Sequence, residues 1–183
     1  RMEGCSGCVG TKVRYGSLKM IELNVTNKQV DKAKIKSKEM GVINNSIRQG
    51  KGNLCGFVGE AVMEDYFKAS EANTYDYDLI LQNGKKIDVK TKQTKVKPRD
   101  YYDCSIANFN TRQNCDYYAF VRVNNELTKA WFLGLVDKKE YLEKSRFLKK
   151  GDVDGDNGFV VRADCHNLSI DQVWKMSKHE TTE

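Results

Sequence analysis

A chain of 183 residues with 39% hydrophobic and 10% aromatic residues carries enough apolar material for the core of one domain, which excludes wholesale disorder. Lys and Arg total 31 against 25 Asp and Glu, and the resulting formal charge of +6 suits a polyanionic partner such as nucleic acid without requiring one. No apolar run approaches the roughly 20 residues of a membrane-spanning helix, so no membrane partner is expected.

Residues 1–19 (RMEGCSGCVGTKVRYGSLK) lack the apolar stretch of a secretory leader and stand apart as a segment of uncertain origin. Residues 20–183 are expected to form a single domain. Cys5, Cys8, Cys55, Cys104, Cys115 and Cys165 are irregularly spaced, which points to free thiols and a cytoplasmic location rather than a disulfide framework. Cys5 and Cys8 with Cys165-His166 could be imagined as a zinc set, but a second CxxC is missing.

LKMIELNV (18–25) predicts a short strand, and TNKQVDKAKIKSKEMG (26–41) a polar helix with Thr26 or Asn27 as its cap and Gly41 at its end. The lysines of that helix read as a solvated face, with a nucleic-acid-facing helix as the sharper alternative. After a loop over 46–53, LCGFVGEAVMEDYFKAS (54–70) predicts a helix whose stripe is Leu54, Phe57, Val58, Ala61, Val62, Asp65 and Tyr66. Glu60 flanks the stripe as either a solvated edge charge or a ligand. TYDYDLIL (74–81) and KKIDVKTK (85–92) predict a hairpin around QNG. In the second strand Lys86, Asp88, Lys90 and Lys92 share one face, with Ile87, Val89 and Thr91 on the other. Residues 100–114 resist assignment beyond a short helix. Strands are expected at 115–123, central by its apolar run, and at 128–136. A helix at 137–145 capped by Asp137, a loop at 149–158, a strand FVVRA (159–163) and a closing helix at 169–177 complete the chain. Asp152, Asp154 and Asp156 have the spacing of a calcium loop, but Asn157 replaces the required glycine and Ala163 the final glutamate, so a turn-rich loop is expected.

Glu60, Asp78, Asp88 and Lys90 form the set with chemical content. Carboxylate oxygens are hard ligands of the kind Mg²⁺ and Mn²⁺ prefer. A lysine two residues from Asp88 on the same face can contact a phosphate or assist a water molecule.

The hairpin YDYDLILQNGKKIDVKTK resembles the Asp-Xn-(Asp/Glu)-Xaa-Lys signature of the PD-(D/E)XK, restriction-endonuclease-like nuclease superfamily. The preceding GEAVMEDYF is similar to the helix that often supplies that superfamily's additional glutamate. The resemblance covers about residues 53–136 and leaves 137–183 as a C-terminal decoration. It implies an α/β (α+β) fold with an αβββαβ core, in which a mixed central sheet is flanked by helices. It also implies metal-dependent hydrolysis of DNA phosphodiesters by an endo- or exonuclease. By this resemblance Asp78 and Asp88 would ligate Mg²⁺ or Mn²⁺, Glu60 would be an auxiliary ligand and Lys90 the catalytic lysine. Tyr77 stands where the family commonly has proline. Lys92 and Gln93 would flank the substrate phosphate, and Lys95, Lys97, Arg99 and Arg112 would extend a basic path for the backbone. A homodimer is compatible with this reading. The alternatives are a catalytically inactive nucleic-acid-binding module on the same fold, or a small-molecule-binding or interaction protein.

The hairpin imposes a parity condition. A two-residue Asn83-Gly84 loop would pair Asp78 with Val89 and send it to the face away from Asp88. A three-residue loop, Gln82-Asn83-Gly84, pairs Leu81 with Lys85 and Asp78 with Asp88. Gly84 suits the left-handed position this longer loop needs, so the odd-length loop, or a compensating bulge, is expected, with Asp78, Asp88 and Lys90 on one face and Glu60 reaching toward them.

Overall fold

The computed structural model describes residues 20–40, 53–72, 74–154 and 158–177. In chain order these form β1 (Ile21–Asn24), α1 (Asn27–Met40), α2 (Asn53–Phe67), β2 (Ser70–Glu71), β3 (Leu79–Ile80), β4 (Lys86–Thr94) and β5 (Asp103–Ala107). A 3-10 turn (Asn108–Arg112), β6 (Tyr117–Asn124), β7 (Lys129–Asp137), α3 (Lys138–Lys144), β8 (Arg146–Leu148), β9 (Cys165–Ser169) and α4 (Ile170–Met176) follow. The fold is mixed α/β. Among the described residues no helix is long and apolar enough to cross a membrane. The segment with Cys5 and Cys8, Gly41, the 46–52 part of the loop, Asp156-Asn157 and His179 lie outside the described residues.

The larger sheet has six strands in the order β1-β7-β6-β4-β3-β2, and the smaller has the order β5-β9-β8. β4 and β6 run parallel, with Asp88 beside Tyr118 and Lys92 beside Arg122, while the other neighbouring pairs are antiparallel. β6 is central, as its apolar run predicts. One face of the large sheet buries Ile87, Val89, Val121 and Phe132 under Phe57, Val58, Val62 and Met63 of α2. The other buries Tyr118, Phe120 and Leu133 against Cys104 and Leu168 of the small sheet and Ile170 and Val173 of α4. The buried Tyr141 hydroxyl lies 2.6 Å from the Cys104 carbonyl oxygen and 2.8 Å from that of His166, tying α3 to both β5 and β9.

Local signals explain most boundaries. Thr26 Oγ1 accepts from Gln29 N (3.3 Å) while Gln29 Oε1 accepts from Thr26 N (2.9 Å), a reciprocal start for α1. Asp137 accepts from Glu140 N at the start of α3, and Ser169 with Gln172 forms the corresponding box at α4.

Several expectations need correction. The crossover between parallel strands β4 and β6 contains no α-helix among its residues. Cys104 and Ile106 are buried alternately with Asp103 and Ser105, a period of two that builds β5, and only a 3-10 turn follows. Residues 159–163 do not form a strand. Phe159 and Val160 are more than half exposed, and Val160 makes only an isolated bridge to Val153. The strand in this region is β9, where Leu168 and Asn167 are buried. On α2, Asp65 and Tyr66 are exposed, while Cys55, Met63 and Phe67 join the buried side. The α1 lysines do not all face water. Lys32 pairs with Glu64 (2.5 Å), and Gln29 donates to Asp65 (2.5 Å), so α1 docks on α2 through polar contacts around buried Ala33.

α2 lies unusually close to β4. A Cβ added at Gly59 would sit 2.0 Å from Thr91 Oγ1 and 2.9 Å from Thr91 Cβ. Threonine is stiff at χ1 and cannot swing aside freely. Gly59→Ala should therefore destabilise the protein by about 1–3 kcal/mol, the usual cost of overpacking. Thermal unfolding checks this, and an unchanged midpoint would contradict the close approach.

Candidate active site

The β3–β4 hairpin takes the odd-length loop. Leu81 N donates to Lys85 O (2.8 Å), Gly84 N donates to Leu81 O (2.9 Å), and Gly84 has φ +81°. The ladder pairs Ile80 with Lys86 and Leu79 with Ile87, the register the three-residue loop predicts, and ends there, just before Asp78. Asp78 also turns inward at the end of its strand. Its backbone N donates to Ile87 O (2.9 Å), and its Oδ2 accepts from Val89 N (2.7 Å). The carboxylate thus continues the sheet's hydrogen bonding at the edge of β4, where β3 has ended.

Asp88 is only 3% exposed. Lys90 Nζ lies 2.6 Å from its Oδ2, close enough for charge pairing, yet Oδ2 is enclosed and receives no well-directed hydrogen bond. Lys90 also donates to Gln113 Oε1 (3.1 Å), and Gln113 Nε2 donates to Tyr75 O (2.7 Å), which anchors the crossover segment to the approach to β3.

Glu60 comes from α2, which packs on the opposite face of the sheet. Its Oε2 pairs with Lys36 Nζ at 2.6 Å, and Lys36 also reaches Glu71 Oε1 at 2.8 Å. Burial works against the Lys36 charge, but the attraction of Glu60 and then Glu71 outweighs it and raises its pKa. Burial raises the Glu60 pKa, although Lys36 opposes the shift. Asp78 is pushed well above the ordinary carboxylate range, first by burial and then by the negative charges of Glu60 and Asp88; the Val89 N–H and Lys90 resist.

Glu60, Asp78 and Asp88 therefore sense one another electrostatically, but they do not converge. Among the described residues no three Cys, His, Asp or Glu side chains are gathered closely enough to hold a metal ion. Lys36 occupies Glu60, and Val89 N occupies Asp78. The donor set is nevertheless all oxygen, and the enclosed Asp88 Oδ2 lacks a directed partner, which is the character that hard cations take.

The other predicted binding residues separate into two places. Lys92 borders an open cleft of about 240 Å³ that also holds Lys90, Ser105 and Arg122. Its Nζ donates to Ser105 Oγ (3.0 Å) and lies 3.5 Å from Asp103 O. The side chain is exposed because the cleft is open, yet crowding by protein, followed by the Arg122 charge, lowers its pKa to about 8. Gln93, Lys95, Lys97, Arg99 and Arg112 are exposed. Lys95, Lys97 and Arg99 follow the end of β4 at Thr94, six residues beyond Asp88 and roughly 20 Å away along an extended strand. Arg112 lies at the other end, on the 3-10 turn before β6. The structure does not join these residues to Lys92 as one line of contacts.

Sequence reasoning missed Lys36, Glu71, Gln113 and Arg122. Lys32 and Lys36 are one turn apart and face Glu64 and Glu60, a spacing visible in the sequence. Gln113 and Arg122 carry no comparable local signal. The calcium-like spacing at 152–156 has a structural use in its described part: Asp154 is buried, accepts from Asn167 Nδ2 (3.3 Å) and lies 3.7 Å from Arg146. His166 packs against Phe147 and bonds Ser145 Oγ (2.9 Å).

No protein-family model matches the chain, and no curated protein matches it in sequence.

The strained ionisation of Asp78 gives a prediction with a defined sign. A carboxyl whose folded pKa is raised stabilises the fold fully below the unfolded pKa and loses that contribution as pH rises through the folded value. Asp78→Asn keeps an oxygen for Val89 N and removes the charge. It should melt with the wild type at acidic pH and a few degrees above it at neutral pH without divalent cation. Melting curves across pH check this, and a neutral-pH midpoint below that of the wild type would contradict it.

Proposed function

We propose that this protein is a metal-dependent phosphodiesterase that hydrolyses DNA, on a restriction-endonuclease-like core. The observation that carries the reading is the hairpin edge, where Asp78 folds inward just past the last ladder pair, its charge acting on that of Asp88, and Lys90 lies 2.6 Å from Asp88. Like charges facing each other across a sheet are normally destabilising. An edge that brings these acids within electrostatic range, with an enclosed Asp88 oxygen held by the Lys90 charge but by no well-directed hydrogen bond, has the character of a cation site.

The strand arrangement agrees with that core. α2 precedes the antiparallel run β2-β3-β4, and β6 then joins β4 in parallel. The crossover through β5 and a 3-10 turn departs from the helical connection of the family pattern.

Asp78 and Asp88 would hold Mg²⁺ or Mn²⁺ directly. Glu60 would contribute after releasing Lys36, which retains Glu71 as a partner. Such a cation stabilises charge on a phosphoryl oxygen and lowers the pKa of a bound water. Lys90 would place its ammonium beside the scissile phosphate, donating to the oxygen where negative charge grows. Gln113 positions Lys90 through their 3.1 Å hydrogen bond. Asp88 at 2.6 Å and the Tyr118 ring at 6.0 Å fix the Lys90 ammonium in place, so that cation would act locally.

A specific observation favours the competing reading of an inactive nucleic-acid-binding module: Glu60 and Asp78 are already engaged by Lys36 and Val89. Cleavage of plasmid and single-stranded DNA in Mg²⁺ or Mn²⁺ separates the two. The nuclease reading predicts metal-dependent cleavage that Asp88→Ala abolishes. Lys90→Ala should fold and retain DNA binding, with turnover reduced by about 100-fold or more, the scale of one lost charge-stabilising donor. Retained binding with no cleavage by the wild type under either metal would favour the inactive module.

A further inference from the structure

Lys92 and Arg122 are neighbours across the parallel β4–β6 pair, directly opposite in register. Both face the small sheet, and both lean on the same neutral group: Arg122 Nη2 donates to Asp103 O at 2.6 Å, and Lys92 Nζ lies 3.5 Å from that oxygen. Neither side chain has an ion-pair partner among the described residues. Asp103 directs its carboxylate toward Arg146, 3.6 Å away, on β8. Two cations side by side repel. Crowding by protein is the first cause of the lowered pKa of both, although Lys92 remains exposed to the cleft and Arg122 is half-buried.

This costly pair borders an open cleft of about 240 Å³, ample for a phosphate group. Ser105 stands on its opposite wall, 3.0 Å from Lys92 Nζ, with a hydroxyl that can donate to an anion. The Arg122 fork can meet phosphate oxygens in pairs. Lys90 borders the same cleft, two residues up the strand and on the same face, roughly 6.6 Å away along it. That step is comparable with the spacing of neighbouring phosphates along an extended nucleic-acid strand.

We propose that Lys92, Arg122 and Ser105 form a phosphate subsite that holds the phosphate next to the one cleaved. The proposal rests on the nuclease reading for the identity of the ligand, while the subsite rests on the cleft itself. An arriving phosphate neutralises the two cations and takes over the place of the single carbonyl they share. The shared chemistry is a phosphate group carried by a strand, whether an internal diester or a terminal monoester.

The test uses the full chain. Binding of a fluorescent thymidine oligonucleotide, with and without a 5′-phosphate, is measured in EDTA across a salt series, with inorganic phosphate as competitor. Lys92→Gln should weaken binding by about tenfold, the worth of one charge-assisted contact. It should also reduce the salt slope by about 1. Inorganic phosphate should compete in the wild type and lose its effect in Lys92→Gln, while Lys92→Arg restores both. A preference for the 5′-phosphorylated strand assigns a terminal phosphate to the subsite, and equal affinity assigns an internal one. Ser105→Ala gives a second, gentler variant, expected to weaken phosphate competition without changing the melting temperature. Lys92→Gln with wild-type affinity and salt slope, or phosphate competition equal in both proteins, overturns the subsite. Cleavage is scored separately in Mg²⁺. Phosphate binding dependent on Lys92 without any cleavage overturns the nuclease reading and leaves the subsite standing. Cleavage with KM unmoved in Lys92→Gln overturns the subsite and leaves the nuclease reading.

Discussion

Three residues separate Leu81 from Lys85, and that odd count sets which side chains share the edge of β4. A two-residue turn would shift the pairing by one and move Asp78 to the other face, because strand side chains alternate with period two. Gly84 makes the longer turn affordable with its positive φ, a conformation that a side chain would strain. The close approach of α2 completes the arrangement. Gly59 leaves no Cβ between the helix and Thr91, so the next residue, Glu60, stands near enough to the edge for its charge to act on Asp78. Turn length and helix distance are thus ordinary backbone matters with an electrostatic consequence: three acids are brought within range of one another in a setting where burial already disfavours their charge.

Lysines offset part of that cost, each from a different element. Lys90 serves Asp88 from the same strand, and Lys36 serves Glu60 from α1 while also holding Glu71 of β2. The Lys36 and Glu60 side chains are only about 15% exposed, so this pair is screened weakly by solvent compared with surface pairs such as Lys175–Asp171. Removing one partner would leave the other buried and uncompensated, which is more damaging than the net worth of the pair suggests. Asp78 has no lysine at ion-pair distance among the described residues and depends on one backbone N–H. Burial first, and then the charges of Glu60 and Asp88, raise its pKa.

Much of this was legible before the structure. The cap at Asp137, the apolar run of β6 and the glycine in the hairpin are local signals, and they placed α3, the central strand and the parity of the β3–β4 turn. The small sheet was hidden. β9 is CHNLS, whose buried residues, Asn167 and Leu168, adjoin rather than alternate, and it gains its strand character by pairing with β5. FVVRA has the better β composition but has no partner strand there beyond a single bridge. Of the site, the acids and Lys90 could be named from the order of residues. The spacing of Lys32 and Lys36 was visible but not their partners on α2, and Gln113 and Arg122 left no local signal, because their roles depend on the crossover between β4 and β6. The basic residues after Thr94 show the converse limit: proximity in sequence to Lys92 does not carry them into its cleft.

The central claim is that the Asp78–Asp88 edge is a cation site, and a Mn²⁺ titration followed by amide NMR addresses it without requiring turnover. Paramagnetic broadening falls steeply with distance from the ion. The account predicts that the amides of Asp78, Asp88 and Val89 broaden first, followed by Glu60, and that Asp88→Ala removes this early set. Broadening that begins instead at exposed acids such as Glu126 or Asp31, with the Asp78–Val89 amides unaffected, would contradict it.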